Sequence, residues 1–183
     1  MKILLTYFNR MSSLVLSFII FVLFSIKLLI SKKKSIIFID IDNSIANTWP
    51  FLNNSSFNIK YIPPLNGSIR FIKKNFDPDL FEIVFLSHRE VKLYRKTLFW
   101  LKNYFDNSIA LNMLFLVPFP LWKLYYFKLS LLLKFKVFVF DDLSRNHENG
   151  QILYYGDIIQ EINSLDIRYY NYEFIVKINN QNE

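Results

Sequence analysis

Short apolar runs recur along this chain, and each ends in polar residues. Ile36-Ile37-Phe38-Ile39 leads into Asp40-Ile41-Asp42-Asn43-Ser44. Phe81 to Leu86 leads into Ser87-His88-Arg89-Glu90, Leu111 to Val117 into Pro118-Phe119-Pro120, and Lys136 to Phe140 into Asp141-Asp142. Unbroken runs of β-branched and aromatic residues at this length read as strands buried on both faces of a parallel sheet. Between them the apolar spacing changes to that of helices. Leu65, Ile69, Ile72 and Phe76 predict a helix through Lys74, capped by Asn66 or Ser68. Val91, Tyr94, Leu98, Leu101 and Phe105 predict a second, and Lys123 opens a third that runs through Leu133. A helix over Gly156–Asn163 precedes a final strand around Arg168–Ile178, while Asp77-Pro78-Asp79 reads as a turn and Ala46–Ile62 as an irregular loop. Strands alternating with helices predict an α/β, three-layer sandwich with a central, mostly parallel sheet over residues 35–183.

Met11 to Ile30 fits neither period, because it is apolar almost throughout. Twenty helical residues span about 30 Å, the thickness of a bilayer core, so the stretch reads as a transmembrane helix, with a buried N-terminal helix and a cleaved signal peptide as the rival readings. Residues 1–34 then form a membrane anchor with a basic linker. Lys27 and Lys32–Lys34 outweigh Lys2 and Arg10, which favours a single-pass protein with its body in the cytoplasm.

Composition narrows the chemistry. With 20 Phe and 11 Tyr in 183 residues the chain can bury a large core, and with 3 Gly it has no glycine-rich phosphate loop. It has no Cys and only 2 His, which removes disulfides, thiolate zinc sites and multi-histidine metal sites. The formal net charge of +7 is misleading until located. Residues 1–34 hold six basic and no acidic residues, so the other 149 carry 16 basic against 15 acidic. The body lacks the excess that binds a phosphate backbone, which argues against nucleic acid as a partner.

Parallel strands share a carboxyl edge, where open α/β sheets build their sites. Asp40 and Asp42, Ser87, and Asp141-Asp142 therefore gather there, with Lys123 at the head of a helix. Such a set suits phosphoryl transfer. A carboxylate attacks phosphorus, a second carboxyl moves the proton, a hydroxyl and an ammonium bind phosphate oxygens, and hard oxygen ligands hold a divalent cation.

These residues resemble the motifs of the haloacid dehalogenase superfamily. Asp40-Ile41-Asp42-Asn43-Ser44 resembles its first motif, DxDx[TV], Ser87 its second, Lys123 its conserved lysine, and Asp141-Asp142 its acidic fourth motif. Arg89, Thr97, Trp100 and Leu101 are also similar to an S-x-R…T-x-x-W-L pattern among small phosphatases and polynucleotide-end phosphatases. The resemblance implies a Rossmannoid fold and a Mg²⁺-dependent phosphatase acting through an aspartyl-phosphate on a phosphomonoester. It implies Asp40 as nucleophile and metal ligand, and Asp42 as acid/base with its main-chain carbonyl on the metal. Ser87 and Lys123 would bind phosphate, and Asp141 with Asp142 would complete the metal site. Lys128 competes with Lys123, and Ser44 stands where Thr or Val is usual. The short segments after Asp42 and after Ser87 leave no room for a cap domain, which suits a large or membrane-linked substrate. Trp49, Phe51 and Phe57 would rim an open site or pack on the sheet edge. An inactive binding module of the same fold and a polynucleotide-end phosphatase are the alternative functions.

Overall fold

The computed structural model describes residues 2–51, 59–105, 113–143 and 155–181, with side chains of the first helix described for Val15 and from Ser17 onward. The chain runs α1 (Lys2–Ile30), β1 (Ser35–Ile39), α2 (Asn66–Asn75), β2 (Phe81–Ser87), α3 (Tyr94–Tyr104) and β3 (Leu114–Leu116). It continues through α4 (Lys123–Leu132), β4 (Lys136–Phe140), α5 (Gly156–Ser164), β5 (Ile167–Tyr170) and α6 (Tyr172–Asn180). The five strands form one sheet in the order β3-β2-β1-β4-β5, every pair parallel. The connections leave β1 in one direction, toward β2 and β3, and then return to β4 and β5. The crevice between β1 and β4 is therefore the topological switch point, where such sheets bind ligands.

Alternate residues of β1 serve opposite layers. Ile37 and Ile39 join a core with Ile69 and Ile72 of α2, Trp100 and Leu101 of α3, and Ile175 of α6. Ile36 and Phe38 join a second core with Leu124 and Phe127 of α4 and Ile158 and Ile162 of α5. The apolar run is continuous because the strand is covered on both sides.

Two elements differ from the sequence reading. The segment after β5 is a helix rather than more strand. Asn171 caps it, its Oδ1 accepting from the Phe174 N–H at 3.1 Å, and Ile175 is buried. A side-chain cap followed by apolar residues at helical spacing outweighs the β propensity of Tyr169-Tyr170. The α6 helix also lies so close to α2 that a Cβ on Gly67 would strike the Ile178 carbonyl and meet Asn179 at 2.8 Å. The buried stripe of α3 is offset from the one expected. Thr97, Trp100 and Leu101 are inside, while Tyr94 is exposed and Val91 belongs to a preceding 3₁₀ turn. The turn delays the start of the helix and rotates its face.

The third difference concerns α1. Its carboxyl-terminal half lies on the sheet, with Phe24 and Leu28 only 1% and 2% exposed. Phe24 packs against Phe38, Phe115 and Tyr126, with ring centroids at 6.0, 5.4 and 4.9 Å. Just past its carboxyl end the Ser31 hydroxyl donates to Glu82 Oε1 at 2.7 Å and the Lys33 ammonium to the Phe81 carbonyl at 3.1 Å. Phe81 begins β2 and Phe38 nears the end of β1, so α1 runs antiparallel to the strands. Among the described residues, no helix is long and apolar enough to cross a membrane.

Candidate functional site

The β1–β4 ladder extends one residue past the strands. The Asp40 N–H donates to the Phe140 carbonyl at 2.8 Å, and the Asp141 N–H to the Tyr170 carbonyl at 3.2 Å. These bonds hold both carboxylates at the switch point. Beyond Asp40 the chain closes a tight turn in which the Ile45 and Ala46 N–H groups donate to the Ile41 carbonyl and Asn43 donates to Ala46 at 2.8 Å. Asn43 takes a positive φ of 53°, which Asn tolerates better than most residues. Its Oδ1 accepts from Thr48 Oγ1 at 3.0 Å and from the Trp49 N–H at 2.9 Å. Ser44 is fully buried, and its hydroxyl accepts from the Asp142 N–H at 3.1 Å. A serine at this position thus ties the first acidic segment to the last.

The buried Lys123 ammonium donates to Asp40 Oδ1 at 2.8 Å and to Asp141 Oδ2 at 2.7 Å. Burial alone would lower its pKa, but the charges of Asp141 and Asp40 raise it further, so it stays protonated. Lys128 pairs with Glu161 at 2.7 Å on the surface, which leaves Lys123 as the lysine of the site. Burial pushes Asp40 above its ordinary value although Lys123 opposes this. Asp141 rises to about 7 for the same reason, and Asp142 rises well above the usual carboxylate range through burial and the charges of Asp40 and Asp141.

Asp40, Asp141 and Asp142 each bring a carboxylate oxygen within 4.8 Å of the others. Asp141 Oδ1 is buried with no hydrogen-bond partner. Three crowded carboxylates, reluctant to ionise and including one unsatisfied oxygen, make an all-oxygen donor set suited to a hard divalent cation. The chemistry of the donors therefore fits Mg²⁺.

The Asp42 carboxylate is not part of this cluster. Arg89 grips it in two parallel bonds, Nε to Oδ2 and Nη2 to Oδ1, each 2.6 Å. The Ser87 hydroxyl also reaches Oδ2 at 3.4 Å. Burial would raise the Asp42 pKa, but the Arg89 charge and hydrogen bonds outweigh it and hold the carboxyl below its ordinary value. Asp42 was expected among the metal residues. Its side chain is not in the cluster, and the carbonyl role that the resemblance implies does not depend on that side chain. The resemblance places Arg89 in an S-x-R…T-x-x-W-L pattern and does not name its partner. The third Arg89 nitrogen donates to Thr97 Oγ1 at 3.0 Å. The available sequence signal was Ser87-x-Arg89 with a threonine two helical turns further on. Trp100 completes the unit, its indole N–H donating to the Ile62 carbonyl at 2.9 Å. That bond pins the segment after Ala46, which pairs back with Pro64.

The remaining candidates lie further out. His88 is exposed, with Nε2 3.1 Å from the Pro118 carbonyl. Trp49 is exposed and lines a cleft of about 250 Å³ with Asn43, Tyr172 and Asn179, rather than the carboxylate cluster. Phe51 is half-buried. Phe57, His147 and Glu148 lie outside the described residues. No protein-family model, curated protein or solved structure matches the chain.

Proposed function

We propose that this chain is a Mg²⁺-dependent phosphohydrolase of haloacid dehalogenase type, attached to a membrane through α1. The observation that carries the reading is the Lys123 ammonium bridging Asp40 and Asp141 beside an unsatisfied Asp141 oxygen. One cation already balances two carboxylates, and the cluster still has acceptor capacity for a second. Asp40, Asp141 and Asp142 would hold Mg²⁺, which would neutralise charge between carboxylate and phosphate.

Each residue then has a task. Asp40 attacks phosphorus through one carboxylate oxygen, and the bond from phosphorus to the leaving oxygen breaks. Lys123, and Ser87 by its hydroxyl, bind phosphate oxygens as charge builds on them. Asp42 donates its proton to the leaving oxygen and in the second step takes one from the water that attacks the aspartyl-phosphate. Held by Arg89, Asp42 is in the deprotonated form suited to that second step. Protonation for the first step requires the guanidinium to loosen, and an incoming phosphate dianion is a natural competitor for it.

The Arg89–Asp42 pair also favours a second reading, a phosphate-binding module that no longer turns over. Release of inorganic phosphate from an aryl phosphate by the full chain, with and without Mg²⁺, decides between them. The full chain is needed because Phe24 and Leu28 belong to the core. Asp40→Asn is expected to abolish release without unfolding the protein. Equal turnover by the wild type and Asp40→Asn refutes the enzyme, and phosphate binding without any turnover supports the module.

A further inference from the structure

The outer face of α1 carries Val15, Phe18, Val22, Ile26 and Leu29, all exposed, at spacings of three and four residues, with Ile19 and Leu23 exposed beside them. Leu29 is 67% exposed, directly beside Leu28 at 2%. The helix is thus apolar on two sides, one covered by the sheet and the other bare. Among the described side chains of α1 the bare apolar stripe therefore runs from Val15 to Leu29. The neighbouring α4 leaves Tyr125 and Leu132, two turns apart, exposed as well.

We infer that α1 lies in the plane of the bilayer interface, its bare stripe in the lipid and its other side carrying the domain, rather than crossing the membrane. This deepens the membrane attachment proposed above and rests on it. Packing decides against crossing. A span over residues 11–30 would draw the sheet contacts of Phe24 and Leu28, 1% and 2% exposed, into hydrocarbon. A bare apolar stripe on a helix whose opposite side is docked on its own domain suits a helix lying in the interface plane. Charge selects the lipid: residues 1–34 are basic without a single acid. Lys32, Lys34, Lys134 and Lys136 are exposed near the end of α1, where the Lys136 N–H donates to the Lys34 carbonyl at 2.8 Å. An anionic bilayer surface meets both the stripe and the lysines.

The chain has no Cys, so single introduced cysteines report cleanly. Full-length Lys2→Cys and Lys134→Cys are added to sealed vesicles of zwitterionic lipid, with or without an anionic phospholipid, and treated with a membrane-impermeant maleimide. Binding that favours anionic vesicles, with both cysteines labelled from outside, is the expected result. The double substitution Leu23→Glu/Ile26→Glu, checked for retained helix content by circular dichroism, should weaken binding about tenfold or more. Protection of Lys2→Cys while Lys134→Cys is labelled means that α1 crosses, and overturns the in-plane arrangement alone. A chain that stays off all vesicles, as a monomer or with its stripe closed in a dimer, overturns the membrane attachment as well.

Discussion

Replacing Lys123 with Met removes a buried cation and nearly preserves its volume. The consequence follows from the carboxylates it leaves behind. Oxygens of Asp40, Asp141 and Asp142 lie within 4.8 Å of one another. At an effective dielectric of about 20, each ionised pair at that separation repels by about 3.5 kcal/mol. Without the ammonium, the site must accept that repulsion or take up protons. Breaking a buried ion pair from one side costs about 3–5 kcal/mol, and that is the loss expected for metal-free Lys123→Met at pH 8. Asp141, whose pKa is already near 7, is pushed higher still by the substitution. At pH 5 the carboxyls therefore take up protons, and the loss shrinks to about half. Mg²⁺ at about 100 times its dissociation constant should return about 2.7 kcal/mol in its place. Urea unfolding of both proteins at pH 5 and pH 8, with and without Mg²⁺, gives all the values needed. A loss that is the same at both pH values and unchanged by Mg²⁺ would refute the reasoning, because Lys123 would then act by packing and not as counter-ion to a metal cluster.

Other consequences can be checked in parallel. Since burial raises the folded pKa of Asp141 to about 7, its contribution to stability is complete below the unfolded value near 4 and disappears as pH rises through 7. The metal-free protein should therefore lose thermal stability between pH 5 and 8, and Mg²⁺ should raise Tm more at pH 8; an equal Mg²⁺ shift at both would count against the cluster. Calorimetric titration of Mg²⁺ should show proton release that is greatest at or below neutral pH, because metal binds the ionised carboxylates. Arg89→Met removes the group that holds Asp42 below its ordinary value and leaves burial to raise it, so the acid limb of the pH–rate profile should move upward. An unmoved limb alongside a lower kcat would assign Arg89 a purely structural task. Gly67→Ala forces a methyl group into the backbone of α6 and should cost about 1–3 kcal/mol in urea unfolding. Rapid amide exchange confined to α6 would locate the damage.

Much of this arrangement was legible in the residues because one physical signal governed each part. β1 and β4 are buried on both faces, so their apolar runs are unbroken, and Asp40 and Asp141 stand out where those runs stop. Lys123 stood out for its position before the strand that ends in Asp141-Asp142, although sequence could not separate it from Lys128; only the packing of α4 turns one inward and pairs the other with Glu161. The failures share a cause. Arg89 stands in a local Ser-x-Arg…Thr pattern, but its partner, Asp42, is 47 positions away, and that pattern does not announce the long-range ion pair. The end of the chain looked like strand because Tyr169-Tyr170 has β propensity, and the one-residue cap at Asn171 was the only local sign of α6. In α1 the apolar residues go all the way round for two unrelated reasons, a sheet on one side and exposure on the other, and hydropathy adds the two into a single signal.

The docked half of α1 also sets an order of events during synthesis. Phe24 emerges early, but its partners Phe115 and Tyr126 are translated about 90–100 residues later, which at about 5–20 residues per second is a delay of roughly 5–20 s. Throughout that interval both apolar sides of the helix lack their protein cover, and β1 has a gap on one face. A lipid surface shelters such a helix as soon as it leaves the ribosome. With α1 attached as proposed, the sheet would be completed on a helix already at the membrane, which would serve as a template for the domain as well as its point of attachment.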